Sequence, residues 1–286
     1  MTRLPSRARL LRRVRRTVTA ATHVAAGLRT RLDRQLAPPD SERALRRRLR
    51  ADGATLHPQQ PSAVWRGWVN RALPGLDEVA QARAEVIRCG LPPHGDAPKN
   101  WDLLVALGTI LEYVPTGGAV LDAGAPLYSR LLPWLYLYGY RDLHGIDLVY
   151  DGPVHLGPID YQAMDLTATS FPDDCFDAIA CLSVIEHGVP LDAYLDEAAR
   201  LLKPGGLLIT STDFWAEPVD TGGREAYGVP ITIFTPAEMD AFVAAAAERG
   251  LHPVRPVDLA CRDRAVHWAR FELDYTFVNI VLRREG

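Results

Sequence analysis

Lysine is nearly missing from this chain. It stands only at Lys99 and Lys203 in 286 residues, so arginine supplies almost all the positive charge. Cysteine is sparse as well. Cys89, Cys175, Cys181 and Cys261 form no CxxC pair, which argues against a zinc site or a disulfide scaffold and fits a reducing, cytoplasmic setting. No stretch reaches the ~18 apolar residues that a membrane-crossing helix needs. Thr17–Leu28, the longest uncharged run near the N-terminus, contains threonine and histidine. It makes a poor core for a twin-arginine export signal, and no clear cleavage motif follows it. No internal repeat or long low-complexity segment is present.

Negative charge is short at the N-terminus. Residues 1–50 hold 15 arginines against three acidic residues, a net of +12, while the rest holds 17 basic and 32 acidic residues, a net of −15. Leu11, Val18, Ala25 and Leu32, interleaved with Val14, Ala21 and Leu28, form the narrow a/d stripe of an amphipathic helix. Three readings fit this arm: a helix on its own protein or a second copy (dimerisation), a membrane-surface or anionic-partner helix, or a partly disordered arm. Ala37-Pro-Pro-Asp40 breaks it, and Ser41 or Asp40 can cap a second helix over 41–51.

The chain divides into a basic helical arm (1–52), a helical lid or cap region (53–118) and a domain over 119–286. In the last part short apolar runs alternate with helical patterns. Strands are expected at 119–123, 143–148, 159–164, 176–183, 206–212, 253–259 and 275–283, with helices at 128–138, 191–202 and 235–249. Such alternation predicts an α/β fold: a Rossmann-like, seven-stranded, mostly parallel sheet with its last strand antiparallel, plus the N-terminal helical extension. Lys203-Pro-Gly-Gly206 reads as a sharp turn before the fifth strand.

Ligands in open α/β sheets bind beyond the carboxyl ends of the strands, where strand order reverses. The residues at those ends are Asp122-Ala-Gly124, Asp147, Asp165, Ser183-Val-Ile-Glu-His187 and Thr212-Asp213. Asp prefers turns in any case, so no single carboxylate is diagnostic. Four blocks in order are more specific: "VLDAGA", "GIDL", "MDLTATSFPDDCFDAIACLSVIEH" and "EAARLLKPGGLLITSTDF". Together they resemble the class I S-adenosylmethionine-dependent methyltransferases, with a domain of the type 11 kind, over nearly half the chain.

The resemblance implies S-adenosylmethionine as cofactor and a small-molecule acceptor. Asp122 and Gly124 would shape the loop at the cofactor's amino-acid end. Asp147 would accept from the ribose hydroxyls and Asp165 would meet the adenine edge, with Leu148 and Leu166 on the ring faces. Ser183 would line the floor under the sulfonium. Lys99 and Trp101, just upstream, would fold over the cofactor, Lys99 pairing with its carboxylate. Lys99 as an exposed cation and Trp101 as core are equally good readings. The loop departs from the family pattern, because Pro126 and Tyr128 stand where small residues are usual.

His187 and Asp213 are the candidate bases for a hydroxyl acceptor, although the family's Glu-His pair often serves structure. Asp213, Glu217 and Asp220 have the oxygen chemistry that magnesium takes. Acidic loop residues are far more often solvated, and no metal is expected. The loop 213–235 is the natural place for acceptor choice. These features favour O-methylation of a small polar metabolite, such as a sugar or natural-product hydroxyl. An NAD-dependent oxidoreductase would need GxGxxG where residues 124–129 read Gly-Ala-Pro-Leu-Tyr-Ser. A non-enzymatic adaptor would act through the basic helix. Nucleic acid is not expected, since the domain is acidic and has no basic groove with interleaved aromatics.

Overall fold

The computed structural model describes residues 41–286; the heptad stripe of residues 11–32 lies outside them. Helix α1 (Glu42–Ala51) begins at Ser41, whose Oγ accepts from the Ala44 amide at 3.2 Å. Glu42 in its first turn and Arg48 and Arg50 in its last complement the helix dipole. Leu45 and Leu49, one turn apart, enter the core. A 3-10 turn (Ala63–Trp68) leads to α2 (Leu76–Arg88) and α3 (Lys99–Tyr113). Every residue of α3 from Asn100 to Ile110 is buried, as expected of a helix that is apolar nearly all round. Gly108 makes this close packing possible, since a Cβ there would lie 2.3 Å from the Trp65 ring.

The sheet strands are β1 (Val120–Ala123), β2 (Leu143–Ile146), β3 (Val154–Leu156), β4 (Ile159–Gln162), β5 (Phe176–Leu182) and β6 (Leu202–Phe214), then β9 (Leu251–Pro253), β10 (Val266–Trp268) and β11 (Leu273–Arg284). A separate hairpin holds β7 (Glu225–Ala226) and β8 (Val229–Pro230). The spatial order is β3-β4-β2-β1-β5-β6-β11-β10, with β9 also on β11. Strands β4, β2, β1, β5 and β6 are mutually parallel. Strand β11 inserts antiparallel beside β6 over Thr276↔Phe214 to Arg283↔Leu207. The Rossmann-like, mostly parallel sheet with an antiparallel last strand is therefore the architecture found. Three-residue β3 and β10 extend it, too short to leave a period in the sequence.

Alternation along the strands sorts the two faces. In β5, Ala178 and Ala180 face the core shared with α1, α2, α3 and α4 (Leu131–Leu137). Ile179 and Cys181 face the core of α5 (Leu191–Leu201) and α6 (Pro236–Ala247). Two alanines on the first face let α3 lie close to the sheet.

Two expectations need correction. Lys203–Gly206 is not a turn outside the strand but a bulge within β6. Phe176 pairs with Leu202 and Ala178 with Leu207, so these four residues oppose Asp177. Lys203 Nζ bonds Asp177 Oδ2 at 2.6 Å, and Gly205 takes φ +81°. The strand expected at 253–259 is β9, at 251–253. Beyond it the chain leaves β11 and bonds the segment before α2: the Ala72 amide donates to Asp258 O, and the Asp258 amide to Asn70 O.

Candidate cofactor and acceptor site

Strand order reverses at β1, which has β2 and β4 on one side and β5 and β6 on the other. The carboxyl ends of all five strands open on the same edge, and five polar tips meet there.

Asp122, at the end of β1, is buried, and its Oδ2 accepts from Ser129 Oγ at 2.8 Å. Burial pushes its carboxyl up to about 7; the Ser129 bond opposes this, and nearby Asp147 and Asp102 add to it. Gly124 follows with φ +83°, and a Cβ there would lie 2.4 Å from Val184 Cγ2. The protein's own packing therefore requires glycine here. The Gly124 and Ala125 amides both donate to Ile146 O, at 2.8 and 2.9 Å, tying the loop to β2. Tyr128 on this loop is 64% exposed.

At the tip of β2, Asp147 Oδ1 accepts from the Val149 amide at 3.0 Å, which orients the carboxylate. Leu148 beside it is 75% exposed. Asp165, beyond β4, is exposed and caps its own turn, accepting from the Thr167 amide and hydroxyl at 2.8 and 2.7 Å. Leu166 is half-buried. Ser183 ends β5 in a left-handed conformation, φ +54°, and its Oγ is a buried hydroxyl without a hydrogen-bond partner. A strained residue carrying an unsatisfied group at a strand tip is a usual mark of a ligand site.

Buried acids occupy the other half of the edge. Asp102 accepts from Ser211 Oγ at 2.8 Å, and Glu186 from Thr212 Oγ1 at 3.0 Å. Asp213 is hydrogen-bonded to Tyr275. Lys99 is the cation among them: its Nζ lies 3.9 Å from Asp102 Oδ2 and 4.5 Å from the centroid of the Phe277 ring. Burial raises the carboxyls of Asp102, Glu186 and Asp213, and the Lys99 charge opposes it in all three. One ammonium faces three carboxyls here, and burial outweighs it in each. His187 is pushed down to about 4 by burial and by Lys99, so its imidazole is neutral. Trp101 is fully buried and tilted against Trp68, with ring centroids 6.4 Å apart.

The loop after β6 returns over this cluster. Its ends are zipped together, because the Phe234 amide donates to Asp213 O and the Trp215 amide to Phe234 O, both at 2.9 Å. Its hairpin brings Tyr227 edge-on to His187, with centroids 4.9 Å apart. Asp102 and Tyr275 complete the cluster beyond the residues named from sequence, and Glu186 enters it from the strand-end run Ser183–His187. Asp102 had a local signal, three residues after Lys99 on one helix; Tyr275 had none, since it depends on how β11 lies beside β6. Among the described residues no group of three His, Cys, Asp or Glu side chains is arranged to hold a metal ion, and no helix is long and apolar enough to cross a membrane.

Residues 121–210 match the family model described as "Methyltransferase domain". This stretch is therefore similar to methyltransferase domains. A ubiquinone biosynthesis O-methyltransferase of a Chelativorans species is 37% identical over 54 residues, which is 19% of this chain. The chain spans only 21% of that relative's length. Among solved structures, a 1,6-didemethyltoxoflavin-N1-methyltransferase from Burkholderia thailandensis is 18% identical, covering 75% of this chain and 92% of its own, with a TM-score of 0.48. An S-adenosylmethionine-dependent methyltransferase from Mesorhizobium loti is 19% identical, covering 64% and 98%, with a TM-score of 0.45. S-adenosylmethionine is the cofactor of the family.

The residues present fit that group. A carboxylate at a strand tip (Asp147) adjoins an exposed apolar side chain (Leu148), and a buried hydroxyl without a hydrogen-bond partner (Ser183) lies across β1 from them.

Proposed function

We propose that the protein transfers a methyl group from S-adenosylmethionine to a hydroxyl of a small polar metabolite, such as a sugar or natural product, in the cytoplasm. One observation supports this most: within the matched segment, Asp122, Asp147 and Ser183 stand at the tips of three adjacent strands beside the reversal of strand order.

In this reading Asp147 receives the ribose hydroxyls, Leu148 and Leu166 flank the adenine and Asp165 takes its polar edge. Asp122, Gly124, Ser183, Lys99 and Trp101 shape the remainder of the pocket. The bound cofactor supplies an electrophilic methyl and a neutral thioether leaving group. The protein's tasks are then alignment, exclusion of water and removal of one proton. His187, neutral at physiological pH, accepts the hydrogen bond of the acceptor hydroxyl and takes its proton as the new C–O bond forms. A weak base suffices, because a hydroxyl oxygen becomes strongly acidic as it is alkylated. Asp213, at the end of β6, is the second candidate base, and Asp102 pairs with Lys99 at 3.9 Å. The loop 213–235 closes the acceptor side, and residues 53–118 serve as the cap. The arginine-rich arm suits self-association or an anionic surface.

Calorimetry with S-adenosylhomocysteine on wild type and Asp147→Ala tests this reading. Wild type should bind, and the variant should bind at least ~tenfold more weakly, about 1.4 kcal/mol for a lost charge-assisted pair. Absence of binding by wild type, with NAD instead protecting it from thermal unfolding, would overturn it.

A further inference from the structure

The cofactor loop between β1 and α4 has one glycine, and part of its support comes from outside the matched segment. Helix α1 lies along it. Arg48 Nη2 donates to the Leu127 carbonyl at 3.1 Å. Asp52, just past the helix, holds Arg130, at the far end of the loop, at 2.6 Å. Tyr136 on α4 donates to Glu42 at 2.8 Å and accepts from Arg46 Nε at 2.6 Å. Leu45 and Leu49 seat the helix in the core. Gly157, between β3 and β4, admits it from the other side, since a Cβ there would lie 3.2 Å from Glu42 Cα.

The contacts fall where the loop needs them. The Gly124 and Ala125 amides are tied to β2, and Tyr150 donates to the Ala125 carbonyl at 2.6 Å. Past Pro126 the chain has the Ser129 amide bonded to Pro126 O and the Ser129 hydroxyl on Asp122. Arg48 and Arg130–Asp52 fasten this second half. A tight glycine-rich turn would hold such a segment by its own geometry; this sequence holds it by an added helix.

We infer that Arg48 and Asp52 are positioning residues for the cofactor loop, so that helix α1, a part of the N-terminal extension, completes the cofactor site. This rests on the methyltransferase reading above. Releasing the loop lowers the fraction of molecules whose loop is ready to bind, and apparent affinity falls by that fraction.

The test uses the full chain and S-adenosylhomocysteine as the probe. Arg48→Ala should raise the dissociation constant about five- to tenfold. Arg47→Ala removes the same charge from an exposed position on the same helix and should leave affinity within twofold of wild type. In the ligand-free protein, hydrogen exchange at the amides of residues 127–129 should quicken in Arg48→Ala, while β5 and β6 amides stay protected; a global loss of stability would move both. If Arg48→Ala fails to fold, Asp52→Asn, which weakens the Arg130 pair alone, takes its place with an expected rise of about threefold. Equal affinity in wild type and the loop-side variant, or an equal loss in Arg47→Ala, overturns the inference. Failure of wild type to bind defeats the methyltransferase reading itself.

Discussion

Two of the buried acids at the strand tips, Asp122 and Asp213, are set against their own ionisation by burial. Asp122 is the clearest case, raised by burial from 3.8 to about 7. A folded-state value above the unfolded one means the native state binds the extra proton. Its stabilising contribution is fully present below pH ~4 and is lost as pH rises through about 7, a swing on the order of 4 kcal/mol. In ligand-free protein, thermal melts should therefore show stability falling between pH 4 and 7. Asp122→Asn, whose amide oxygen still accepts from Ser129, should flatten that fall; an unchanged slope would show that Asp122 ionises freely. Glu85 on α2 works in the opposite sense. The Arg88 guanidinium holds it down to about 2, so its contribution is present above pH ~4.5 and lost only in stronger acid. Asp147 and Asp122 were legible as site candidates because they close strands within the ordered blocks that resemble the family. Their difference, one partly exposed and one sealed against Ser129, was not legible, because burial is set by what the chain places above them.

At the scale of elements, the loop after β1 shows how one position can satisfy two demands. Gly124 needs both a left-handed backbone and room for Val184 from the turn after β5. Gly124→Ala should cost about 2 kcal/mol in urea unfolding, part from φ and part from the clash. Adding Val184→Ala should return the steric part and leave the backbone part. Helix α6 offers a contrasting local rule. Thr235 and Glu238 form a reciprocal capping box with Pro236 in the first turn, and Thr235→Ala should cost about 1 kcal/mol. That cap is visible in Thr-Pro-Ala-Glu alone. The bulge at Lys203–Gly206 is not. Pro-Gly-Gly suits a turn, but Phe176 and Leu202 pair on its far side and draw it into β6.

Across the whole molecule, the N-terminal segment is woven into the end of the sheet rather than appended to it. The buried Asn279 side chain on β11 accepts from the Asn70 amide at 3.0 Å and donates to Trp68 O at 2.7 Å; Asn70 in turn accepts from the Val281 amide. Asn279→Leu would strand these buried groups and should cost about 3 kcal/mol in equilibrium denaturation. The loss should appear in a single transition, since residues 68–73 share the core of the sheet. Two separate transitions would show that the cap region folds independently of the domain.

The linear order of residues determined the α/β alternation, the places where strands end and the acids found there, because two-residue and 3.6-residue periods and turn chemistry are local. It also determined that the loop after β1 is short of glycine. Only the folded molecule decided what offsets that shortage: α1, some 75 residues upstream of the loop in the chain, is brought to it by the burial of Leu45 and Leu49. Tertiary packing likewise gathered Lys99, Asp102, Glu186, Asp213 and Tyr275 from α3, the turn after β5, β6 and β11 into one cluster. The upward shift of its three carboxyls follows from shared burial, a property that no one of those segments carries in its own sequence.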